Sequence, residues 1–399
     1  MVFEPASPPQ SGGVAMSAPE FLQEILRIES RSGDEARLAA RVVAHMLELG
    51  FEAAWVDETG NALGLVRGLE RGAGTMLLTH LDHIDVGDLN LWAHPPFAGV
   101  LEDCVIHGRG AVDIKGPLVA QIYAVTKLLE TGVRPKRDVL VAVPVLEETG
   151  GAGMGALTAR MTADHTLETP VGAIQIGACI VGEPSSNRVM LGHRGVCRST
   201  LSFHGRAHHA SLGLKADNPH FALAQFLTRL EAFQPVTHEI LGASTLTPTV
   251  IHADTRSNNL TPNRIDLTLD WRTTTESGAD VRHTLETLLE GLPATFVSFD
   301  DWHSGEGGIN HPGFVIEPAH PLVTNLQAAV ARVVPNTLEP GIWRFATDGR
   351  YTHARGIPTV GFGPGREDLA HTTIERIEVR ELETHVKALS QFLLEYARI

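Results

Sequence analysis

The sequence predicts an α/β protein in which a mostly parallel sheet is interrupted by an inserted ferredoxin-like α+β domain. Three observations lead there. Short apolar runs at 63–66, 76–78, 139–145 and 174–181 alternate with helical stretches such as Pro117 to Leu129, as in a largely parallel sheet with covered faces. From about Val189 to Asp300 the pattern changes to polar–apolar alternation, seen in Arg198-Ser-Thr-Leu-Ser-Phe203 and Arg264-Ile-Asp-Leu-Thr-Leu-Asp270, which suits strands with one wet face. A helix from Pro321 to Val333, a strand from Pro358 to Phe362 and a last helix from Val379 then resume the first style.

Residues 1–16 are rich in Pro, Ser and Gly and read as a disordered leader. Ser17-Ala-Pro-Glu20 is a capping box with Pro in the first turn, and Phe21, Leu22, Ile25, Leu26 and Ile28 follow at helical spacing. A second box, Ser32-Gly-Asp-Glu35, precedes Leu38, Val42, Met46 and Leu49, with Gly50 as the stop. Inside the insertion the order is strand, helix (Asn218 to Ala232), strand (Leu246 to His252), strand (Arg264 to Arg272), helix (Ala279 to Leu289) and strand (Ala294 to Phe299). That order is ferredoxin-like. The expected domains are 17–190, the insertion 191–303, and 304–399 completing the first; no internal repeat is seen.

Composition narrows the function classes. With 399 residues, 43% hydrophobic and 20% charged, the chain has room for two cores. The balance of 32 basic against 47 acidic residues, net charge -15, argues against nucleic acid as a partner. Three scattered cysteines with no CxxC pair fit neither a disulfide framework nor a thiolate zinc site, and suit a reducing compartment. No run approaches the roughly 18 apolar residues of a membrane span, and the N-terminus lacks the basic and apolar regions of an export signal. A cytoplasmic location is expected.

Chemistry-bearing residues gather at the ends of the apolar strands. In Met76-Leu-Leu-Thr-His80-Leu-Asp82, the alternate spacing points His80 and Asp82 to one side, so that the carboxylate holds the imidazole in a metal-binding tautomer. Among 20 histidines, a single one is more often exposed or a satisfied core residue. Gly108-Arg-Gly-Ala-Val-Asp113-Ile-Lys-Gly116 resembles a phosphate loop but lacks the Gly-Lys-Ser/Thr spacing, and its Asp suits a hard cation better than a phosphate. Glu147 and Glu148 end the strand at 139–145. Adjacent side chains diverge, so one can bind metal while the other serves as general base; the bland alternative is two solvated acids.

The following Gly151-Ala-Gly153-Met-Gly-Ala156 matches a relaxed dinucleotide fingerprint, but two ionised glutamates before it would oppose a pyrophosphate. Glu183, in Ile180-Val-Gly-Glu183-Pro184, and His371, in His371-Thr-Thr-Ile-Glu375, lie beyond two further strand ends. His80, Asp113, Glu148, Glu183 and His371 together offer two imidazoles and three carboxylates, enough for two zinc ions sharing one Asp. Arg350, in Thr-Asp-Gly-Arg-Tyr, is a candidate for anion binding. Other histidines, such as His83, His94 and His193, read as background.

The ordered series HLDHID, GRGAVDIKG, EETGG, GEP and GPGREDLAHTTIE resembles the zinc aminoacylase/carboxypeptidase G family, which contains acetylornithine deacetylase and succinyl-diaminopimelate desuccinylase. The likeness runs from about Phe21 to the C-terminus. It implies a metal-dependent catalytic domain with an inserted lid and dimerisation domain, and two divalent ions per subunit, zinc foremost, with cobalt or manganese as alternatives. One ion would sit on His80, Asp113 and Glu183, the other on Asp113, Glu148 and His371. The resemblance makes Glu147 the base, with Asp82 orienting His80.

It also makes Gly205-Arg-Ala-His-His209-Ala-Ser a lid motif whose His, by position His209 with the neighbouring His208 as the alternative, reaches a substrate in the partner subunit of a homodimer. Asn259 and Arg272 look like substrate-carboxylate contacts, a task for which the planar guanidinium fork is suited. The implied reaction is amide hydrolysis in a small N-acylated amino acid, with a dipeptidase or carboxypeptidase as the alternative. A binding protein without turnover is a third class, which the intact Glu147 disfavours.

Overall fold

The computed structural model describes residues 16–299, 311–335 and 337–396. Two compact units emerge: one takes the chain up to Gly192 with Ile316–Trp343 and everything from Thr347, the other takes the described part of His193–Val315 with Arg344–Ala346. The leader up to residue 15 and the junction expected at 303/304 lie outside the described residues.

In the first unit the order is α1 (Ala18–Leu26), α2 (Ala36–Glu48), β1 (Ala53–Val56), β2 (Ala62–Val66), β3 (Gly74–Leu78), β4 (Val100–Glu102), β5 (Val105–His107), α3 (Lys115–Glu130), β6 (Val139–Val143), α4 (Ala152–Ala159), β7 (Thr166–Leu167), β8 (Ile174–Val181) and β9 (Met190–His193). The second unit supplies β10 (Cys197–His204), α5 (Pro219–Ala232), β11 (Thr237–His238), β12 (Gly242–Ala243), β13 (Thr245–Ala253), β14 (Arg264–Arg272), α6 (Gly278–Leu289), β15 (Ala294–Phe299) and β16 (Phe314–Val315). The first unit resumes with α7 (Pro321–Val333), β17 (Gly341–Trp343), α8 (Gly349–Ala354), β18 (Thr359–Gly361), β19 (Arg376–Glu378) and α9 (Val379–Tyr396).

The main sheet runs β1-β2-β6-β3-β8-β18-β9. Its centre, β6-β3-β8-β18, is parallel, and the flanking pairs β1/β2, β2/β6 and β18/β9 are antiparallel. Every residue of β2, β3 and β6 is buried, which is why these strands read as continuous apolar runs. Helix α3 is buried around most of its circumference and packs on α9 and α1. A smaller antiparallel sheet, β19-β5-β4, stands apart.

Two local expectations change. The strand expected to reach Val145 ends at Val143, because Pro144 has no N–H to give a ladder and the Val145 N–H donates to Asn61 Oδ1 at 3.0 Å. The second capping box does not form: α2 begins only after Glu35. Ser32 Oγ donates to Asp82 Oδ2 at 2.7 Å, and Glu35 accepts the Leu146 N–H at 3.1 Å. Both polar groups are drawn towards buried partners instead of the helix end. The first box forms as expected, with Glu20 accepting the Ser17 N–H at 2.8 Å.

The second unit orders its main strands β13-β14-β10-β15, all antiparallel, with α5 and α6 against them. This is the ferredoxin-like arrangement. Ile265, Leu267, Leu269 and Trp271 on β14 face a core shared with Leu201, Phe203 and Phe226, so strict alternation marks the inner face. The ribbon β11/β12 carries no alternation long enough to be read beforehand.

His385 on α9 gives the first unit a pH signature. Its ring is fully buried, stacks on Phe362 with centroids 4.4 Å apart and donates from Nδ1 to Asn187 Oδ1 at 3.2 Å, leaving Nε2 unpartnered. Burial pushes its pKa down to about 3. Above about pH 6.5 it is neutral folded and unfolded; below that the unfolded chain binds a proton the fold refuses, and stability falls by about 1.4 kcal/mol per pH unit until about pH 3. Acid unfolding followed by circular dichroism should show a shallower pH slope for His385→Phe than for the native chain. Equal slopes would contradict this assignment.

Candidate metal centre

The central strands converge on one edge of the parallel sheet, where ligand sites of such sheets form. His80 lies two residues beyond β3, Glu183 two beyond β8, Glu147 and Glu148 beyond β6, and His371 on the stretch after β18. His80 Nε2 is 3.3 Å from Asp113 Oδ1 and 3.5 Å from Glu183 Oε1. His371 Nε2 is 3.1 Å from Asp113 Oδ2 and 3.2 Å from Glu148 Oε1. Asp113 therefore stands between two sets of donors, one oxygen toward each. All five sequence-read ligand candidates come together.

Asp82 ties the centre to its scaffold. Its carboxylate is fully buried, lies 3.3 Å from His80 Nδ1, and accepts the N–H groups of Glu147 and Glu148 at 3.1 Å each besides the Ser32 hydroxyl. With Nδ1 also 3.1 Å from the Asp82 carbonyl oxygen, the ring turns Nε2 inward. Leu146, in the left-handed region at φ 62°, turns the chain so that both N–H groups meet that carboxylate. His371 is likewise left-handed (φ 62°), a conformation costing roughly 1–2 kcal/mol and typical of functional positions.

The Asp113 loop is built around a residue that the sequence reading quoted without a role. Glu375 Oε1 accepts the N–H groups of Gly110 (3.0 Å), Val112 (2.9 Å) and Asp113 (3.0 Å), while Oε2 pairs with Arg109 Nη1 at 2.5 Å. Asp113 is thus held from behind. In the sequence Glu375 is merely the acid four residues after His371, and its N–H partners, more than 260 residues earlier, leave no local signal.

Electrostatics shows what the cluster suits. Burial and neighbouring carboxylates push Glu147, Glu183 and Glu148 above the usual range. His371 is pushed up to about 11 by Asp113 and Glu148, and His80 is raised because Asp113 and Asp82 outweigh its burial. Asp113 is held far down by His371 and His80 against its burial. These shifts are the mark of carboxylates that outnumber the cationic side chains around them. The donor set, oxygen and imidazole nitrogen with Asp113 Oδ1 buried and unbonded, fits divalent zinc, cobalt or manganese.

Glu147 differs from its neighbour. Glu148 reaches His371, whereas the Glu147 carboxylate makes no hydrogen bond among the described residues. Asp348, buried, without a hydrogen bond to either oxygen among the described residues and pushed up to about 6 by burial, lies close enough to raise Glu147 further.

Arg350, expected as an anion contact, is 2% exposed, donates to the carbonyls of Thr347 and Gly150, and sits 3.4 Å from Asp348, so it braces the loop after Glu148 while its Nε makes no hydrogen bond among the described residues. The glycines of the dinucleotide-like run serve packing: a Cβ at Gly153 would come within 2.4 Å of the Val145 carbonyl oxygen. His83 is a satisfied core residue, accepting the Ser30 N–H at 3.0 Å.

In the second unit, His209 and Asn259 lie on adjoining segments, the Ala210 N–H donating to the Asn259 carbonyl at 2.8 Å. Both are exposed. His208 points to Asp217, at 3.3 Å, while His209 uses only Nδ1, to Ser211. Arg272 ends β14 and pairs with Asp270 at 2.7 Å.

A parallel sheet carrying imidazoles and carboxylates at its strand ends, with a ferredoxin-like insertion, defines a metal-dependent hydrolase. The profile of peptidase family M20/M25/M40 matches residues 76–395, and the chain belongs to that family. Similar solved structures include aminopeptidase PepT from Bacillus cereus ATCC 10987, 18% identical with TM-score 0.75 over 95% of this chain and 98% of that one. The M20 metallo-carboxypeptidase Sso-CP2 from Sulfolobus solfataricus is 17% identical, TM-score 0.73, covering 96% of this chain and 100% of that one. The Bacillus subtilis YXEP protein, described as a dinuclear metal-binding peptidase, is 14% identical, TM-score 0.69, covering 96% and 97%. These likenesses establish the fold.

If Glu375 holds the Asp113 loop, Glu375→Ala should lower divalent-metal affinity roughly 10- to 100-fold, the usual cost of losing a group that positions ligands. Zinc competition against a chromophoric chelator measures it; unchanged affinity would contradict this role.

Proposed function

We propose that this protein hydrolyses the amide bond of a small N-acylated amino acid, of the deacetylase or desuccinylase type, at a centre of two divalent ions. His80, Asp113 and Glu183 would hold one ion and Asp113, Glu148 and His371 the other; zinc suits the mixed nitrogen and oxygen donors best. The observation that carries this reading is Asp113, with one oxygen toward His80 and the other toward His371. Bound ions supply Lewis acidity at the carbonyl and acidify water. Glu147, unbonded and surrounded by acids that raise its proton affinity, takes the proton of the attacking water and returns it to the leaving nitrogen.

His209 is the better lid histidine, because Asp217 occupies His208. Its Nε2 would donate to the developing oxyanion. Asn259 and Arg272 would contact the substrate carboxylate. His209 and Asn259 sit beyond the Arg264 end of β14 and Arg272 at the other, about 26 Å apart at the rise of an extended strand. One copy of this unit therefore does not offer all three to one small substrate. That separation supports a homodimer in which His209 acts in trans. The exposed edge strand β13, with Val250 57% and Ile251 58% exposed, is a surface for such pairing.

A dipeptidase or carboxypeptidase is the second reading, favoured by the peptidase names of the similar structures. A cytoplasmic site of action fits Cys104, Cys179 and Cys197, none of which forms a disulfide among the described residues. No described helix is long and apolar enough to cross a membrane.

The zinc-loaded protein, offered acetyl, succinyl and formyl amino acids beside dipeptides, should release amine from one N-acyl series. Turnover of dipeptides alone would move the assignment to the second reading. Glu147→Ala should keep its metal and lose at least roughly 100-fold in kcat. His209→Ala should also be impaired, and a mixture of the two variants should regain about a quarter of native activity through mixed dimers. No recovery on mixing would exclude action in trans, and full turnover by Glu147→Ala would exclude it as base.

A further inference from the structure

Away from the centre already described, His94, Glu102 and His107 bring two imidazoles and a carboxylate to within 4.8 Å of one another. We propose that these three residues form a separate binding site for one borderline divalent transition-metal ion, zinc foremost.

The framework is rigid. His107 on β5 faces Val100 on β4, and Glu102 faces Val105, so Glu102 and His107 lie diagonally on the same face of the hairpin. A two-residue turn, Asp103 (φ 49°) and Cys104 (φ 62°), has the left-handed pair that matches strand twist and fixes register. β19 pairs along the other side of β5. His94 arrives from a segment tied to the residue two beyond β5: the Arg109 N–H donates to the Pro96 carbonyl at 2.8 Å, and the Arg109 guanidinium lies over the Trp92 ring at 5.2 Å. The ring centroids of His94 and His107 are 4.7 Å apart, and His94 Nε2 is 3.3 Å from Glu102 Oε2.

The chemistry selects the ion. Two imidazoles and one carboxylate form a three-ligand set that leaves a position for water, as in zinc sites. Magnesium and calcium prefer all-oxygen shells, so the two nitrogens disfavour them. Burial, with His94 alongside, pushes His107 below its usual value and keeps it in the neutral, ligating form at neutral pH. Arg376, opposite His107 on β19, is the opposing charge and limits affinity. The competing description is a plain surface pair between His94 and Glu102. Because β5 runs directly into the Gly108–Asp113 loop, an ion here would clamp the strand feeding that loop.

The test counts metal and needs no substrate. Full-length protein is loaded with excess zinc, desalted and analysed by mass spectrometry of the metal, beside the His94→Asn/His107→Gln double variant. The variant should hold about one zinc per chain fewer. Glu102→Gln, a milder surface change, should weaken one zinc roughly tenfold in chelator competition. Asp113→Asn, which removes a residue of the other centre, should keep this ion, so failure of the two sites is distinguishable. Equal zinc content in the native chain and the double variant, with both folded by circular dichroism, would overturn the proposal.

Discussion

Four carboxylates, Asp113, Glu147, Glu148 and Glu183, crowd around two imidazoles at the ends of parallel strands, and that uncompensated negative charge is the constraint on which the rest of the structure turns. Each buried ion carries a desolvation penalty of several kcal/mol, and like charges at this spacing add to it. Among the described residues the cations nearby are already engaged: Arg109 answers Glu375 and Arg350 lies against Asp348. The scaffold instead holds the acids in place. Asp82 gathers His80, Glu147 and Glu148, and Glu375 gathers the Asp113 loop, so the charge is preorganised for cations.

That arrangement explains why so much of the centre was readable. His80, Asp113, Glu148 and Glu183 each follow or adjoin an apolar strand or a glycine turn, and strand ends in parallel sheets are where chemistry collects. The alternation in β10 and β14 likewise announced a sheet with one wet face. What stayed hidden were long-range partners. Ser32 and Glu35 have the spacing of a capping box yet serve Asp82 and Leu146, and no local rule separates those uses. Glu375 lay within a quoted motif, but its three N–H partners sit over 260 residues earlier. The burial of Arg350 was equally invisible, because residue type alone does not say whether a guanidinium is exposed.

The second unit has a different logic. Its core is an ordinary apolar interior, whereas its candidate contacts sit on exposed ends: His209 and Asn259 beyond one end of β14, Arg272 at the other. The ferredoxin-like sheet separates these groups and leaves a long bare edge at β13; in the proposed dimer a second copy would reunite them. Substrate choice would then reside in contacts between subunits, leaving the bond-breaking groups within each one.

If charge frustration is the organising feature, divalent cations must stabilise the fold through Asp113, because a ligand that binds only the native state raises its melting temperature. Thermal unfolding with zinc and with excess chelator, for the native chain and for Asp113→Asn, tests this directly. The account predicts a zinc-dependent rise in Tm for the native chain that is largely lost in the variant. An equal rise in both, or none in the native chain, would contradict it.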